Sequence, residues 1–306
     1  MKMELRHLRY FVAVAEEKNF TRAAARLCMA QPPLSRQIQQ LEEELGTILF
    51  ARDARPLKLT EAGEFFYAHA QQLLARTVDL KAMTQRVGKI ERTMAIGFVA
   101  STLYGMLPKI IRRFKSLYPS IELDLHEMTT MEQIKALKEG RIDVGFGRIK
   151  HEDANVRRIV LREERLMAAV PVGHPLTLSG NPVSLKDLVT ETLIIYPKAP
   201  RPSYADQVLD AFRDRALVPE KIREVRELQI ALGLIAASEG IAIVPSSLKN
   251  LQRNDVVYLE LNERNAVSPV IMSVRLMDQS EDLQFLLALI YDLYDEEKVP
   301  HVKEVL

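Results

Sequence analysis

The sequence predicts an α/β protein with an all-α N-terminal head. Three patterns carry that reading. Two short helices meet at a tight turn within residues 20–46, a run of good helix formers without proline extends over residues 60–92, and strand and helix signals alternate from Met94 onward. At 306 residues the chain is long enough for two or three domains with cores of their own.

The head comes first. Thr21 can cap its first helix, and Ala23, Ala24 and Ala25 allow another helix to approach closely. Gln31-Pro32-Pro33 ends the turn and opens the second helix, where the fixed φ and missing N–H of proline do no harm. Leu34, Ile38, Leu41 and Leu45 share one face, Ser35, Arg36, Gln37, Gln39 and Gln40 lie off it, and Gly46 is the stop. The polar residues are of the types that read DNA. Arg can pair bidentately with guanine and Gln with adenine, while Ser and helix-start N–H groups hold phosphate. An ordinary amphipathic hairpin has the same spacing. The segment Phe50-Ala51-Arg52-Asp53-Ala54-Arg55-Pro56-Leu57-Lys58-Leu59-Thr60 favours the DNA reading, because it forms two short strands around a basic turn and follows the second helix as a wing would. Arg52, Arg55 and Lys58 could reach flanking phosphates or a narrow minor groove.

Charge fits a basic head on a mildly acidic body. Residues 1–60 carry ten Lys/Arg against seven Asp/Glu, whereas residues 93–306 carry 27 against 30. From Thr60 to about Arg92 only Gly63 and Gly88 interrupt the helix formers, so a helix of roughly 45–50 Å is expected. Phe66, Ala70, Leu73, Thr77, Leu80, Thr84 and Val87 recur at steps of four and three, a seam that suits a partner helix.

The body follows. Ala95–Val99 reads as a buried strand, Ser101 or Thr102 as the cap of a helix to about Tyr118, and Ile121, Leu123 and Leu125 as the buried face of a strand. Thr129 or Thr130 opens a helix that closes near Gly140, and residues 142–147 form another strand. Such alternation implies a parallel sheet. A second unit spans about 166–266, with strands at Leu166–Val170, Leu193–Tyr196 and Ile241–Pro245. Val270–Val274 and a helix over 280–296 return to the first unit, so the chain crosses between the two near 162–166 and 266–270. Two crossovers make a hinge, and the cleft between the lobes is the expected ligand site.

No metal site is expected, since six His and one Cys are scattered, and Cys28 reads as a packed thiol. A lone Cys argues against a disulfide-built exported protein. No apolar run approaches about 18 residues and no signal sequence opens the chain, which points to the cytoplasm and away from membranes. No G-x-S-x-G, P-loop, H-E-x-x-H or dinucleotide fingerprint appears, so neither an enzyme nor a cofactor is expected.

Residues Met3-Glu4-Leu5-Arg6-His7-Leu8-Arg9-Tyr10-Phe11, Ala30-Gln31-Pro32-Pro33-Leu34-Ser35-Arg36-Gln37-Ile38 and Leu59-Thr60-Glu61-Ala62-Gly63 resemble the N-terminal region of LysR-type transcriptional regulators. With Gly145-Phe146-Gly147-Arg148, the likeness is strongest to the muconate- and benzoate-responsive regulators of aromatic degradation through catechol. The resemblance implies a winged helix-turn-helix domain (1–59), a dimerising linker helix (60–92) that sets the spacing of two heads on DNA, and an effector-binding domain (93–306) of periplasmic-binding-protein, Rossmann-like type. Lobe I takes 93–162 and 268–306, and lobe II takes 163–267. It also implies promoter DNA and RNA polymerase as partners, activation, a homotetramer and a small carboxylate effector.

The cleft chemistry follows from helix ends, which present free N–H groups to carboxylates. Ser101 and Thr130 stand at such starts with Thr102 beside them, Arg148 follows a strand end, and Pro202-Ser203-Tyr204 open a helix in lobe II. A Ser or Thr there also serves simply as a cap, and Arg148 could pair with Glu227. The resemblance assigns these positions to the effector, with Tyr204 standing where Phe is more usual. Leu107, Pro108, Leu161, Arg162 and Tyr294 match a second site that surrounds an aromatic acid such as benzoate, though Arg162 could equally form a hinge salt bridge with an exposed stem. A solute-binding module is the alternative reading, opposed by the head and by the missing signal sequence.

Overall fold

A computed structural model describes residues 3–51, 56–88, 92–178 and 182–305, apart from a few side chains near the end of the long helix. They divide into two compact units between Val87 and Gly88.

In the first unit, α1 (Leu5–Glu17), α2 (Phe20–Arg26) and α3 (Gln31–Leu45) pack around Leu8, Phe11, Val14, Ala23, Ala24, Leu34, Ile38 and Leu41. The cap of α2 is Asn19, whose side chain accepts from Arg22 N–H at 3.0 Å, so Thr21 is the second residue of the helix, not its cap, and is exposed. Ala25, Leu45 and Cys28 are exposed as well, against the expectation that they pack. Gly46 ends α3 at φ 66°, where a side chain would be strained. Glu42 is buried, and its carboxylate accepts from Leu49 N–H at 2.8 Å and Phe50 N–H at 3.2 Å. That ties α3 to β1 (Phe50–Ala51), which pairs antiparallel with β2 (Lys58–Leu59). Arg52 and Arg55 lie outside the described residues.

α4 (Glu61–Gly88) ends before Arg92, which opens the next strand. Gly63 lets its first turn meet the wing, since a Cβ there would sit 2.1 Å from Leu49 O. Its proposed seam divides. Ala70 is buried in the core of the head and Phe66 packs edge-on against Phe11 at 5.0 Å, so both serve their own unit. Leu73 and Leu80 remain 46% and 66% exposed. The side chain of Val87 lies outside the described residues.

The second unit contains β3 (Arg92–Phe98), α5 (Leu107–Leu117), β4 (Ile121–Glu127), α6 (Thr130–Lys138), β5 (Val144–Gly147), β6 (Val156–Pro171), β7 (Thr192–Ile195), α7 (Tyr204–Arg213), β8 (Lys221–Glu224), α8 (Leu228–Ala236), β9 (Ala242–Pro245), β10 (Val256–Glu260), β11 (Val267–Arg275) and α9 (Glu281–Glu296). Strands β4, β3 and β5 are parallel, but β11 runs antiparallel to both β5 and β6, so the sheet is mixed and not all-parallel. Leu125 is exposed, so only Ile121 and Leu123 of β4 face the core.

β6 is the strand common to both lobes. Val156–Arg165 pairs with β11, and the rest pairs with β9 and β10. Its apolar side chains divide at the same place, Leu161 into one core and Leu166 into the other. Val270 and Ala266 divide likewise at the start of β11. Two adjacent strands therefore carry the chain between lobes.

Candidate effector cleft and DNA-reading face

In the head, α3 begins at Gln31 with a proline in its first turn and presents Ser35, Arg36 and Gln40 off its buried face. Arg36 is exposed and has no ion pair among the described residues. Gln37 differs. It is half-buried, 3.1 Å from the ring nitrogen of buried His7, and donates to Gln40 Oε1 at 2.8 Å. Gln31 donates to Ser35 Oγ at 2.8 Å, which fixes the polar start of the helix. Pro32 and Pro33 are exposed beside it, as is Lys58 on the wing.

In the body, a cleft of about 440 Å³ lies between the lobes. Lobe I contributes Ser101, Met128, Thr129, Thr130 and Arg148, and lobe II contributes Tyr196, Pro197, Pro202, Ser203, Tyr204 and Glu227. The segment Ala100–Tyr104 is a single 3-10 turn, separate from α5, so Ser101 caps no α-helix. Its Oγ instead accepts from Arg148 Nε at 2.8 Å. Thr129 caps α6 through a reciprocal pair with Glu132, and Thr130 is the first helical residue. Thr130 Oγ1 accepts from Arg148 N–H at 3.2 Å. Gly147 makes this approach possible, because a Cβ there would sit 2.7 Å from Thr130 Oγ1. Arg148 thus fills one lone pair on each hydroxyl oxygen and leaves both O–H groups free to donate into the cleft.

Arg148 itself is spoken for. Its Nη2 donates to Glu164 Oε2 at 2.8 Å, and both side chains are buried. Glu227, the alternative partner offered by the sequence, is exposed at the start of α8. Burial alone would raise the Glu164 carboxyl, but Arg148 and Arg162 beside it, with the Ser247 N–H at 2.6 Å, hold it below the usual carboxylate range. Other predicted hydroxyls are committed too. Thr102 donates to Val99 O at 2.7 Å and lies off the cleft wall, Ser203 donates to Pro197 O at 3.1 Å, and Tyr204 donates to Ile243 O at 3.2 Å. Ser203 and Tyr204 still line the cleft.

Residues 5–64 match the family model for bacterial regulatory helix-turn-helix proteins of the lysR family, and residues 88–292 match the LysR substrate binding domain. The chain belongs to the LysR family. It is 48% identical over 293 residues to the HTH-type transcriptional regulator BenM of Acinetobacter baylyi, covering 95% of this chain and 96% of that one. CatR of Pseudomonas putida is 47% identical over 289 residues, with 94% and 98% covered. Full-length BenM matches with a TM-score of 0.67 at 46% identity, over 99% of this chain and 100% of that one. The BenM effector binding domain solved with its effector benzoate matches with a TM-score of 0.67 at 42% identity, over 71% and 99%. Full-length CbnR in complex with its target DNA matches with a TM-score of 0.61 at 29% identity, over 95% and 99%.

A second, smaller void in this LysR-family body is ringed by Leu107, Leu161, Arg162 and Tyr294 together with Thr102 and Met106. It measures about 10 Å³, room for about one water, and Pro108 is not on its wall. Burial raises the Tyr294 hydroxyl above its ordinary value against the pull of Arg162.

Sequence reading missed Glu164, Tyr196 and Gln207, and offered Thr129 only as an alternative start of α6. Gln207 reaches from α7 to donate to Arg148 O and accepts from Ser268 Oγ at 2.9 Å, so it joins lobe II to the Arg148 corner. The signal for Glu164 was present. A Glu pair between Arg162 and Arg165, inside a mostly apolar strand, has to be paired if it is buried.

Proposed function

We propose that this protein is an effector-responsive, DNA-binding transcriptional activator of genes for aromatic-compound catabolism. It senses a small carboxylate of the cis,cis-muconate kind in the cleft between its lobes. One observation carries the ligand reading. Ser101 and Thr130 are both oriented by Arg148, and each has a hydroxyl hydrogen to spare on the cleft wall. Two hydroxyl donors, one of them on the first residue of α6, suit a carboxylate. The likeness to BenM and CatR supports the catabolic role, and the CbnR–DNA complex supports DNA as the partner of the head. The effector shifts a balance between two lobe arrangements, and transcription follows through RNA polymerase. Two subunits pair through α4, pairs associate into a tetramer, and the protein works in the cytoplasm. No helix among the described residues is long and apolar enough to cross a membrane.

The test is promoter-fragment binding as a function of salt, with and without muconate. Affinity should fall steeply with salt, as phosphate contacts release counterions, and muconate should alter transcription from the same promoter. A protein that binds muconate but no promoter DNA is a solute-binding module instead. The small void near Arg162 and Tyr294 is a subordinate site for an aromatic acid such as benzoate, supported by the BenM–benzoate structure and by one cation among apolar walls. Its walls must part to admit a ring.

A further inference from the structure

A tie between the lobes lies apart from the crossover strands and from the Arg148 corner. The 3-10 turn Ala100–Tyr104 stands between β3 and α5, and Phe98 before it and Leu107 after it both belong to the lobe I core. Tyr104 does not follow them. It is half-buried and packs against the lobe II core, to which Leu228 and Leu248 belong. Its backbone oxygen accepts from Asn250 Nδ2 at 2.7 Å, and its hydroxyl oxygen accepts from Gln229 Nε2 at 3.2 Å, both in lobe II. Side chains three residues apart in a 3-10 turn eclipse one another. Ser101 and Tyr104 therefore share one side of the turn, with Ser101 on the cleft wall and Tyr104 off that wall and seated on lobe II.

We propose that this turn carries effector occupancy from one lobe to the other, with Ser101 as its ligand end and Tyr104 as its lobe II end. The proposal rests on the cleft being the effector site. Coupling between lobes needs a packed element with contacts at both ends, and this turn has them. It is braced by Thr102 N–H to Val99 O at 3.0 Å and by Gly105 N–H to Thr102 O at 3.1 Å, so a shift at Ser101 is passed on to Tyr104 instead of being absorbed. Tyr104 itself touches no ligand in this scheme. Its loss separates affinity from response, which the loss of a ligand contact cannot do. Moving lobe II costs part of the binding free energy, so an uncoupled protein binds equally well or more tightly.

The experiment uses the full-length protein with cis,cis-muconate as the probe. Calorimetry reads affinity. Hydrogen exchange over Ser246–Leu251, a turn of lobe II off the cleft wall, reads the response as the difference muconate makes within each variant. Muconate should change that exchange in wild type. Tyr104→Ala should reduce the change about fivefold or more, the lower end of ordinary coupling between sites, with affinity unchanged or higher. Tyr104→Phe keeps the seated ring and should respond as wild type does. Asn250→Ala, an exposed change that leaves the fold alone, should weaken the response at unchanged affinity, and it decides the matter if Tyr104→Ala does not fold. A wild-type response in Tyr104→Ala, or in Asn250→Ala where the first does not fold, overturns the proposal and leaves the effector reading standing. So does a loss of affinity in step with the loss of response, which would make the turn only a support for Ser101, and so does wild type that binds muconate with no change over Ser246–Leu251. Wild type that does not bind muconate overturns the effector reading and this proposal with it.

Discussion

Arg148 Nη2 donates to Glu164 Oε2 at 2.8 Å, with 3% and 1% of the two side chains exposed. Arg148 follows β5 in one lobe. Glu164 lies on β6 where that strand passes to the other lobe, and its second oxygen accepts from Ser247 N–H, just after β9. The pair therefore joins the cleft floor to the crossover. Removing one partner from a buried ion pair leaves an uncompensated charge and typically costs about 3–5 kcal/mol. Glu164→Gln should lower the unfolding free energy by about that amount, because Arg148 and Arg162 would face each other without a carboxylate. Urea denaturation checks it, and an unchanged midpoint would remove the pair from any account of stability.

The same pair gives a pH dependence of known sign. Glu164 titrates below its ordinary range in the folded protein, since two guanidinium groups and an N–H outweigh the effect of burial. A depressed carboxylate contributes stability that is complete above its unfolded value, about 4.3 for Glu, and that is lost as pH falls through the lower native value. Wild type should therefore lose stability below about pH 5 more steeply than Glu164→Gln does. Parallel acid limbs in the two proteins would contradict the assignment.

In the head, Arg36 is the exposed cation at the start of α3, and nothing among the described residues engages it in an ion pair. Arg36→Ala should weaken operator binding by about 1–3 kcal/mol, the range for a bidentate base contact. The melting temperature should hardly move. Gln37 makes the contrast, because it is tied to His7 and Gln40, so its loss should touch stability as well. An Arg36→Ala protein with wild-type operator affinity rules out α3 as the recognition helix.

Much of this was legible in the sequence because it depends on local periodicity and caps. The helical pair in the head and the glycine stop at Gly46 follow from residues near one another in the chain. What was not legible depends on partners brought from far away. Arg148 finds Glu164 instead of Glu227 because β11 sits between β5 and β6, and no local pattern reveals an antiparallel insertion into a parallel motif. Phe66 and Ala70 look like members of a coiled-coil seam, yet the head claims them, since a heptad pattern does not say which surface will cover it. Ser101 looked like a helix cap because Met106 and Pro108 did not reveal that α5 begins afresh after a 3-10 turn.

The divided seam makes its own prediction. Leu73 and Leu80 are exposed along α4, whereas Phe66 and Ala70 are packed in the head. Leu73→Asp with Leu80→Asp should leave the head folded but raise the dimer dissociation constant, since facing carboxylates would be stripped of water. Tight operator binding should be lost with the dimer. Phe66→Asp should instead unfold the head. Ultracentrifugation that finds the double variant as associated as wild type would place the dimer contact elsewhere.

The cleft hydroxyls give the last prediction. Each of Ser101 and Thr130 accepts from Arg148, so each has its hydrogen free for a ligand oxygen. A hydrogen bond to a charged group contributes about 1.5–3 kcal/mol, so Ser101→Ala and Thr130→Ala should each weaken muconate by about tenfold or more. Stability should respond differently in the two variants. Thr130→Ala leaves the buried Arg148 N–H without its acceptor, so its melting temperature should fall, while Ser101→Ala frees an Arg148 Nε–H that is only partly buried and that the ligand or water can still reach. Operator binding without effector should persist in both. Calorimetry well below the melting temperature separates ligand contact from folding. Wild-type affinity in both variants would mean that the hydroxyls serve only to orient Arg148, and that the carboxylate is held by other groups of the cleft.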